Sequence, residues 1–188
     1  LSTTKSYWND VYDGGEVESG GVGEGLTRRT APRKIYTYFG AQVDLTNGDN
    51  AFATGNSNIT PTVLGLDAAD TIGRSALVQY VHGYDSYDDN GNGNTSEKRD
   101  WILGSFLHSR PFIIHYGKTR SVIFAGSNSG MLHAFDDATG EELWAFVPPN
   151  LLNKLKTLHA DVLQIFVDGS PKAYIEYDTN GYLNKAIL

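Results

Sequence analysis

The sequence predicts a mainly β fold with two or three short helices, and three observations support this prediction. Its 21 glycines provide many turn positions, and its 12% share of aromatic residues favours strands, where large side chains pack well on a pleated surface. From Trp101 onward, short apolar runs recur with turn residues between them. Such regular short spacing is typical of a sandwich, a barrel or a propeller. The predicted strands after Trp101 are Phe112–Tyr116, Val122–Ala125, Met131–Phe135, Leu143–Val147, Leu163–Val167, Ala173–Tyr177 and Leu183–Leu188.

The segment Gly130–Pro148 predicts a β-hairpin. Alternate residues of Met131–Phe135 face opposite sides of a strand, as a period of two requires. The polar run Asp136–Gly140 supplies a loop of about five residues, because Asp side chains cap their own backbone and Gly140 tolerates a positive φ. The second strand of the hairpin carries Trp144, which we interpret as a packing anchor rather than a surface on which a ligand stacks.

Two helices are predicted. The first runs over Asp70–Gly83, with Asp70 as N-cap and Gly83 as left-handed C-cap. Its last turn contains His82, which we expect to interact with the helix carbonyls. The second helix opens at Pro148–Asn150. The apolar face of the first helix is predicted to be Ile72, Leu77, Tyr80, Val81 and Tyr84, and that of the second Leu151, Leu152, Leu155 and Leu158.

The first hundred residues contain fewer clear signals. We interpret Gly20–Gly25 as a flexible loop and not as a nucleotide-binding loop, since no apolar strand precedes it and no clear helix follows. Strands are predicted at Ile35–Phe39 and, as a short one, at Ala41–Leu45. The basic residues before the first of these strands are expected to form a solvated edge. They are Arg28, Arg29, Arg33 and Lys34.

Oxygen-bearing side chains recur in an Asn- and Gly-rich loop. The residues are Asp88, Asn90, Asn92, Asn94 and Glu97. Alternate positions of this kind converge in calcium loops, but the twelfth position is Arg99 instead of a bidentate Glu. Two interpretations therefore stay open: a calcium site of low charge and weak affinity, or a solvated loop of Asx turns without a metal.

Composition and motifs favour a non-enzymatic protein. The formal net charge of −7 argues against binding to nucleic acid or to anionic membranes. The absence of cysteine excludes disulfides and thiolate chemistry, and no apolar run reaches the roughly 20 residues of a membrane span. His108, Ser109 and Arg110 are adjacent on an extended segment and point to alternate faces, so they do not form a catalytic trio. We expect His108 and Arg110 to fasten the first strand to neighbouring turns.

Two stretches carry a resemblance to a known family: WILGSFLHSRP at 101–111 and GMLHAFDDATGEELWAF at 130–146. Together they resemble the C-terminal domain of the PilY1/PilC family of type IV pilus tip-associated proteins. FVDGSP at 166–171 and the lead-in at 8–38 follow the family order as well. The resemblance implies a partial modified β-propeller of the quinoprotein-like kind. Its first blades would occupy 101–188 after a lead-in region at 1–100. The motif residues expected to carry this architecture are His108, Arg110, Gly130, Asp136, Gly140 and Trp144.

The resemblance also implies a function. Family members are exported, act at the pilus tip or outer cell surface with minor pilins, and support pilus assembly, twitching motility and attachment to host or abiotic surfaces. The alternative is a fragment of a quinoprotein dehydrogenase or of another scaffold propeller, although the sequence shows none of the paired acids that a quinone cavity needs. Because the chain lacks an initiator Met and provides strands for only about one and a half blades, we expect a fragment of a longer protein that self-associates through exposed edges.

Overall fold

The computed structural model of the protein describes residues 3–9, 11–14, 19–160 and 165–188. Two α-helices lie in the first half of the chain, and six of the seven strands lie in the second half. In chain order the elements are α1 (Gly21–Arg28), β1 (Ile35–Tyr36), a 3-10 helix (Gly48–Asn50), α2 (Thr71–His82), β2 (Phe112–His115), β3 (Ser121–Ser127), β4 (Met131–Asp136), β5 (Glu142–Phe146), a 3-10 helix (Pro149–Thr157), β6 (Tyr174–Tyr177) and β7 (Leu183–Ile187).

Five strands form one mixed sheet in the order β1-β5-β4-β3-β2. Strands β2 to β5 are antiparallel to their sequence neighbours, whereas β1 lies parallel to β5. Strands β6 and β7 pair separately as an antiparallel hairpin. The mainly β prediction is therefore confirmed, although the described residues form neither a closed barrel nor a ring of blades. Of the predicted strand Leu163–Val167, residues 163 and 164 lie outside the described part of the chain, and 165–167 are not in a strand.

One face of the sheet is covered by α2, the second 3-10 helix and the loops around β1. The side chains buried there are Ile35, Phe52, Ile59, Leu64, Leu77, Val78, Val81, Met131, Ala145, Val147, Leu152 and Leu155. The second predicted helix thus exists as a 3-10 helix, and three leucines of its predicted stripe are buried. Residues from before and after Trp101 share this core, which joins the lead-in to the strands.

The helix α2 forms between the two predicted caps. Asp70 accepts a hydrogen bond from the Gly73 N–H at 2.7 Å, and Gly83 adopts a φ of 101°. The predicted apolar face is wrong at Ile72, which is 83% exposed because α2 buries only its C-terminal half. The expected contact of His82 with the helix carbonyls is also wrong, because its Nε2 lies 2.6 Å from the carbonyl oxygen of Phe52.

The opposite face of the sheet is covered by the β6–β7 hairpin. Phe124 of β3 and Trp144 of β5 pack together, with their ring centroids 5.8 Å apart. Ile175 of β6 and Leu183 of β7 pack against the same cluster. The central strands consequently have a helical layer on one side and a second, smaller sheet on the other.

Other parts of the lead-in differ from the prediction. Gly20–Gly25 is not a loop, because α1 begins at Gly21 and Glu24 accepts a hydrogen bond from the Gly20 N–H at 2.6 Å. The strand predicted at Ala41–Leu45 does not form. The strand β1 ends at Tyr36, and the next residue, Thr37, donates its N–H to the carbonyl oxygen of Asn50. No described helix combines the length and the apolar character needed to cross a bilayer.

Trp8 fixes the start of the described chain to the β4–β5 turn. Its Nε1–H donates to the carbonyl oxygen of Asp137 at 2.7 Å. Its ring lies against Gly140, where an added Cβ would come within 2.7 Å of the indole. Gly140 also has a φ of +70°, so both the backbone and the contact with Trp8 require glycine.

We predict that Trp144→Ala destabilises the protein by about 3 kcal/mol, because it removes most of a ring that fills the space between the two sheets. Chemical denaturation measures this loss. The matched control is Tyr174→Ala, since Tyr174 lies on the outer side of β6 and is 58% exposed. That control should change the free energy of unfolding by less than about 1 kcal/mol. Equal losses in the two variants would contradict the packing role of Trp144.

Candidate functional site

A charged network lies buried where the chain enters β1. Arg33, His133 and Glu142 are 5%, 0% and 2% exposed. The Arg33 guanidinium donates from Nε to Glu142 Oε2 at 2.8 Å and from Nη2 to Oε1 at 2.7 Å. Its Nη1 donates to the carbonyl oxygen of Val81, and Arg29 donates to the carbonyl oxygen of Glu142. The predicted solvated edge is therefore wrong for Arg29 and Arg33. Arg33 binds the carboxylate of the buried Glu142, and Arg29 binds its main-chain carbonyl oxygen.

The protonation states of the network follow from its hydrogen bonds. Burial alone would raise the pKa of Glu142, but hydrogen bonds from Arg33 and His133 outweigh it and lower that pKa to about 2. Burial lowers the pKa of His133, although Glu142 opposes this effect. At neutral pH the imidazole is therefore neutral. Its Nδ1–H donates to Glu142 at 2.7 Å, and its Nε2 accepts from the Ser127 hydroxyl at 2.8 Å.

Ser127, His133 and Glu142 are arranged like the nucleophile, base and acid of a hydrolase. Two features argue against that chemistry. Ser127 is 1% exposed, so a substrate cannot approach its hydroxyl. Arg33 already pairs with the Glu142 carboxylate that would have to stabilise an imidazolium. We therefore interpret the trio as structural: it connects β3, β4 and β5 to the lead-in.

The LHSRP motif binds the turn at 168–171. The His108 N–H and Nδ1 lie 3.2 and 2.7 Å from the two carboxylate oxygens of Asp168. The backbone N–H of Arg110 donates to the Ser170 hydroxyl at 3.0 Å. Between them, the buried Ser109 accepts a hydrogen bond from the Gly126 N–H in β3. The sequence analysis does not identify Ser109 as buried. On an extended segment Ser109 faces the side opposite to His108 and Arg110, and this alternation is the signal that could have identified it.

The remaining motif residues lie along the hairpin. Asp136 Oδ1 accepts from the N–H groups of Ala138 and Thr139, which forms the capped turn. Gly130 has a φ of +84°, and an added Cβ there would meet Leu155 at 2.8 Å. Trp144 lies between the sheets. These positions shape the fold and do not converge on one pocket.

In the Asn-rich loop, the three predicted asparagines meet at the carboxylate of Glu97, whereas Asp88 does not. The amide groups of Asn90 and Asn92 donate to Glu97 Oε1 at 2.7 and 2.5 Å, and Asn94 donates to Oε2 at 3.2 Å. Asp88 instead accepts from the Gly93 N–H at 2.9 Å. In this arrangement the carboxylate of Glu97 is satisfied by neutral donors. Across the described residues, no three His, Asp or Glu side chains group as a metal site.

We predict that Glu142→Ala destabilises the protein by about 3–5 kcal/mol, because it leaves the Arg33 guanidinium buried without a counter-ion. Denaturant unfolding measures the loss. The adjacent Glu141 is the matched control, since its side chain is 62% exposed and 3.6 Å from Arg29. Glu141→Ala should cost less than about 1 kcal/mol. A similar cost in both variants would contradict the buried pair.

We also predict that the free energy of unfolding decreases as the pH is lowered, in two separate pH ranges. Burial lowers the pKa of both His82 and His133, so the unfolded chain gains protons that the folded chain does not as pH falls below about 6.5. The pKa of Glu142 falls from 4.5 to about 2 on folding, so its contribution is complete above pH 4.5 and is lost towards pH 2. That contribution is about 3 kcal/mol.

Unfolding free energies measured between pH 7 and pH 2 test this dependence. Glu142→Gln should flatten the curve below pH 4.5, because its amide has no proton to gain. A wild-type curve that stays level over the whole range would contradict the assignment.

Comparison with known proteins identifies relatives over part of the chain. Over 62 residues the chain is 45% identical to a PilY1 homologue, a type IV pilus biogenesis factor of Xylella fastidiosa, covering 31% of the chain and 5% of that protein. Over 134 residues it is 32% identical to type IV pilus biogenesis factor PilY1 of Pseudomonas aeruginosa strain PAK, covering 56% of the chain and 11% of PilY1. Over 132 residues it is 28% identical to PilY1 of strain UCBPP-PA14, again covering 11% of the relative.

No family model and no solved structure matches the chain. The matched segments span about a tenth or less of the length of these relatives. The relatives nevertheless confirm the resemblance of the chain to PilY1 proteins. The chain is therefore similar to a short stretch of PilY1, a type IV pilus biogenesis factor that is much longer than this chain.

Proposed function

We propose that this chain is a non-enzymatic module of a type IV pilus biogenesis factor that is exported to the pilus tip at the cell surface. The observation that carries the proposal is the similarity over 134 residues to PilY1 of Pseudomonas aeruginosa. The buried network supports the non-enzymatic part of the proposal, because the trio of Ser127, His133 and Glu142 holds its serine away from solvent. The module would support pilus assembly, twitching motility and surface attachment, with minor pilins as its partners.

The proposed architecture is the first part of a modified β-propeller. Strands β2 to β5 form a four-stranded antiparallel meander, which is the composition of one propeller blade. The β6–β7 hairpin packs face to face on this meander around Trp144, as the start of a following blade would. Both edges of that hairpin lack a strand partner among the described residues. Further strands or a second copy of the chain would cover them, and the second case is self-association.

Deletion and complementation in the bacterium test the proposed function. A strain without the gene should lose surface pili and twitching motility, and the wild-type gene should restore both. The Tyr174→Ala gene should complement as well as the wild type, whereas Trp144→Ala should not, because the packing between the sheets fails. Normal piliation in the deletion strain would contradict the proposal, and so would capture of no minor pilin by the purified chain.

The loop at 88–97 is proposed as a weak calcium site of this module. Its amide groups already surround Glu97, and a half-turn of each amide replaces its nitrogen with an oxygen. Calcium prefers such oxygen donors, together with the carboxylates of Asp88 and Glu97. With only two charges among five side chains, the expected affinity is about 10⁻⁴–10⁻³ M, the range of extracellular modules.

We therefore predict that millimolar calcium raises the melting temperature and that a chelator reverses the rise. Glu97→Gln should abolish the effect, because the three asparagines of the loop surround the Glu97 carboxylate and the change removes its charge. The control is Asp100→Asn, which neutralises a nearby exposed carboxylate outside the loop at 88–97. An unchanged melting temperature in calcium, or a rise that survives Glu97→Gln, would leave the loop as a metal-free set of Asx turns.

A further inference from the structure

A cavity of about 180 Å³ lies between α2, the segment at 99–104, the β3–β4 turn and the end of the second 3-10 helix. Its apolar lining includes Trp101, Ile102 and Met131. Its polar lining includes Arg99 and Ser129. The volume is below the roughly 300–1,000 Å³ of pockets for drug-sized ligands, so it matches a single side chain or a small acid.

Among the described residues that line the cavity, Arg99 is the one cation, and its side chain donates a single hydrogen bond. The guanidinium lies over the Tyr80 ring, 3.7 Å from its centroid, and Nη2 donates to the Tyr80 carbonyl oxygen at 3.0 Å. Within the described ranges, Nε of Arg99 is buried without a hydrogen-bond partner, and the ion pairs within 4 Å do not include Arg99. A buried donor without an acceptor is destabilising, and so is a charge without a counter-ion.

Arg33 shows how the same fold treats a buried arginine that is fully paired. Its guanidinium meets both oxygens of Glu142 and the carbonyl oxygen of Val81. Three acids, Asp85, Asp89 and Asp100, line a second pocket beside Arg99, and the carboxylates of the first two bind other groups. Asp85 accepts from the Asp89 N–H at 2.9 Å, and Asp89 binds His159 at 2.6 Å. The guanidinium of Arg99 therefore remains available to an incoming anion.

We propose that this cavity binds a carboxylate carried on a short apolar stem, with Arg99 as its counter-ion. The planar guanidinium matches a carboxylate in geometry and charge. Trp101, Ile102 and Met131 would contact the stem, and Ser129 offers a hydroxyl at the β3–β4 turn. The carboxylate is that of a free small acid or that at the end of a peptide chain. Both sources present the same group to Arg99.

Titration of the 188-residue chain with defined probes tests this site. The indole N–H of Trp101, which donates to the Leu103 carbonyl oxygen at 2.6 Å, is a local reporter in ¹H–¹⁵N spectra. Butyrate at millimolar concentration should shift this resonance, whereas butyramide, the neutral analogue of the same size, should not. A short peptide that ends in a free carboxylate is compared with its C-terminal amide to distinguish the two sources.

Arg99→Gln should weaken the binding of the carboxylate probe about tenfold or more, which is the effect of losing a charged hydrogen bond. Arg99→Lys keeps the positive charge but lacks the paired N–H donors of the guanidinium. It is used in place of Arg99→Gln if the glutamine variant does not fold. Arg120→Gln is the matched control, because Arg120 is exposed and outside the cavity. Its binding should equal that of the wild type.

If butyrate shifts the Trp101 resonance and the peptide does not, the site belongs to free acids. If the titration gives a dissociation constant about tenfold lower for the peptide carboxylate than for butyrate, the site belongs to chain ends. Either result supports the proposal when the neutral analogue is silent. Three results would overturn it: equal shifts with butyrate and butyramide, undiminished binding by the Arg99 variants, or no Trp101 shift with either carboxylate.

Discussion

The ion pair between Arg33 and Glu142 constrains the rest of the structure. Removal of two charges from water is unfavourable by several kcal/mol per ion, and only a complete set of hydrogen bonds offsets it. Glu142 is on β5, Arg33 precedes β1, and the guanidinium also binds Val81 in α2. One arrangement of these three elements satisfies both charges. The network therefore fixes where the lead-in meets the sheet, in addition to any stability that it provides.

This constraint explains how the two faces of the sheet are used. On one face, α2 and the second 3-10 helix cover the strands, and their apolar residues share a core with Ile35 and Phe52 from the lead-in. With that face closed, the other is left for the β6–β7 hairpin and Trp144. A meander held between a helical layer and a second sheet is consistent with the propeller proposal. It also places His108 and Asp168 so that the LHSRP motif binds the chain beyond the second 3-10 helix.

Local patterns predicted much of the secondary structure. The alternation in Met131–Phe135 and the caps Asp70 and Gly83 act within a few residues, so they can be recognised in the sequence. The same is true of the Asn-rich loop, whose alternate side chains do meet, although the sequence does not indicate that Glu97 is their centre. These features depend on neighbours along the chain.

Long-range contacts explain the errors. The sequence predicts a solvent-exposed Arg33, because a basic cluster beside a strand is usually exposed. Its partner Glu142 is 109 positions away, so the sequence does not reveal the pair. Trp8 and Asp137 are separated by 129 positions, so their contact could not be recognised either. Position 23 in α1 is a glycine because the ring of Trp101 fills the space that a side chain would need there. Each of these cases required the tertiary partner to be known.

A double-mutant cycle between Arg33→Met and Glu142→Leu tests the central role of the buried pair most directly. Arg33→Met leaves the Glu142 carboxylate with only the neutral His133 as a side-chain donor, and Glu142→Leu leaves Arg33 without a counter-ion. The double change removes both charges and keeps similar volumes. The pair should therefore show a coupling free energy of about 2 kcal/mol or more, with the double variant more stable than the sum of the single losses predicts. Additive losses, within about 0.5 kcal/mol, would contradict the account.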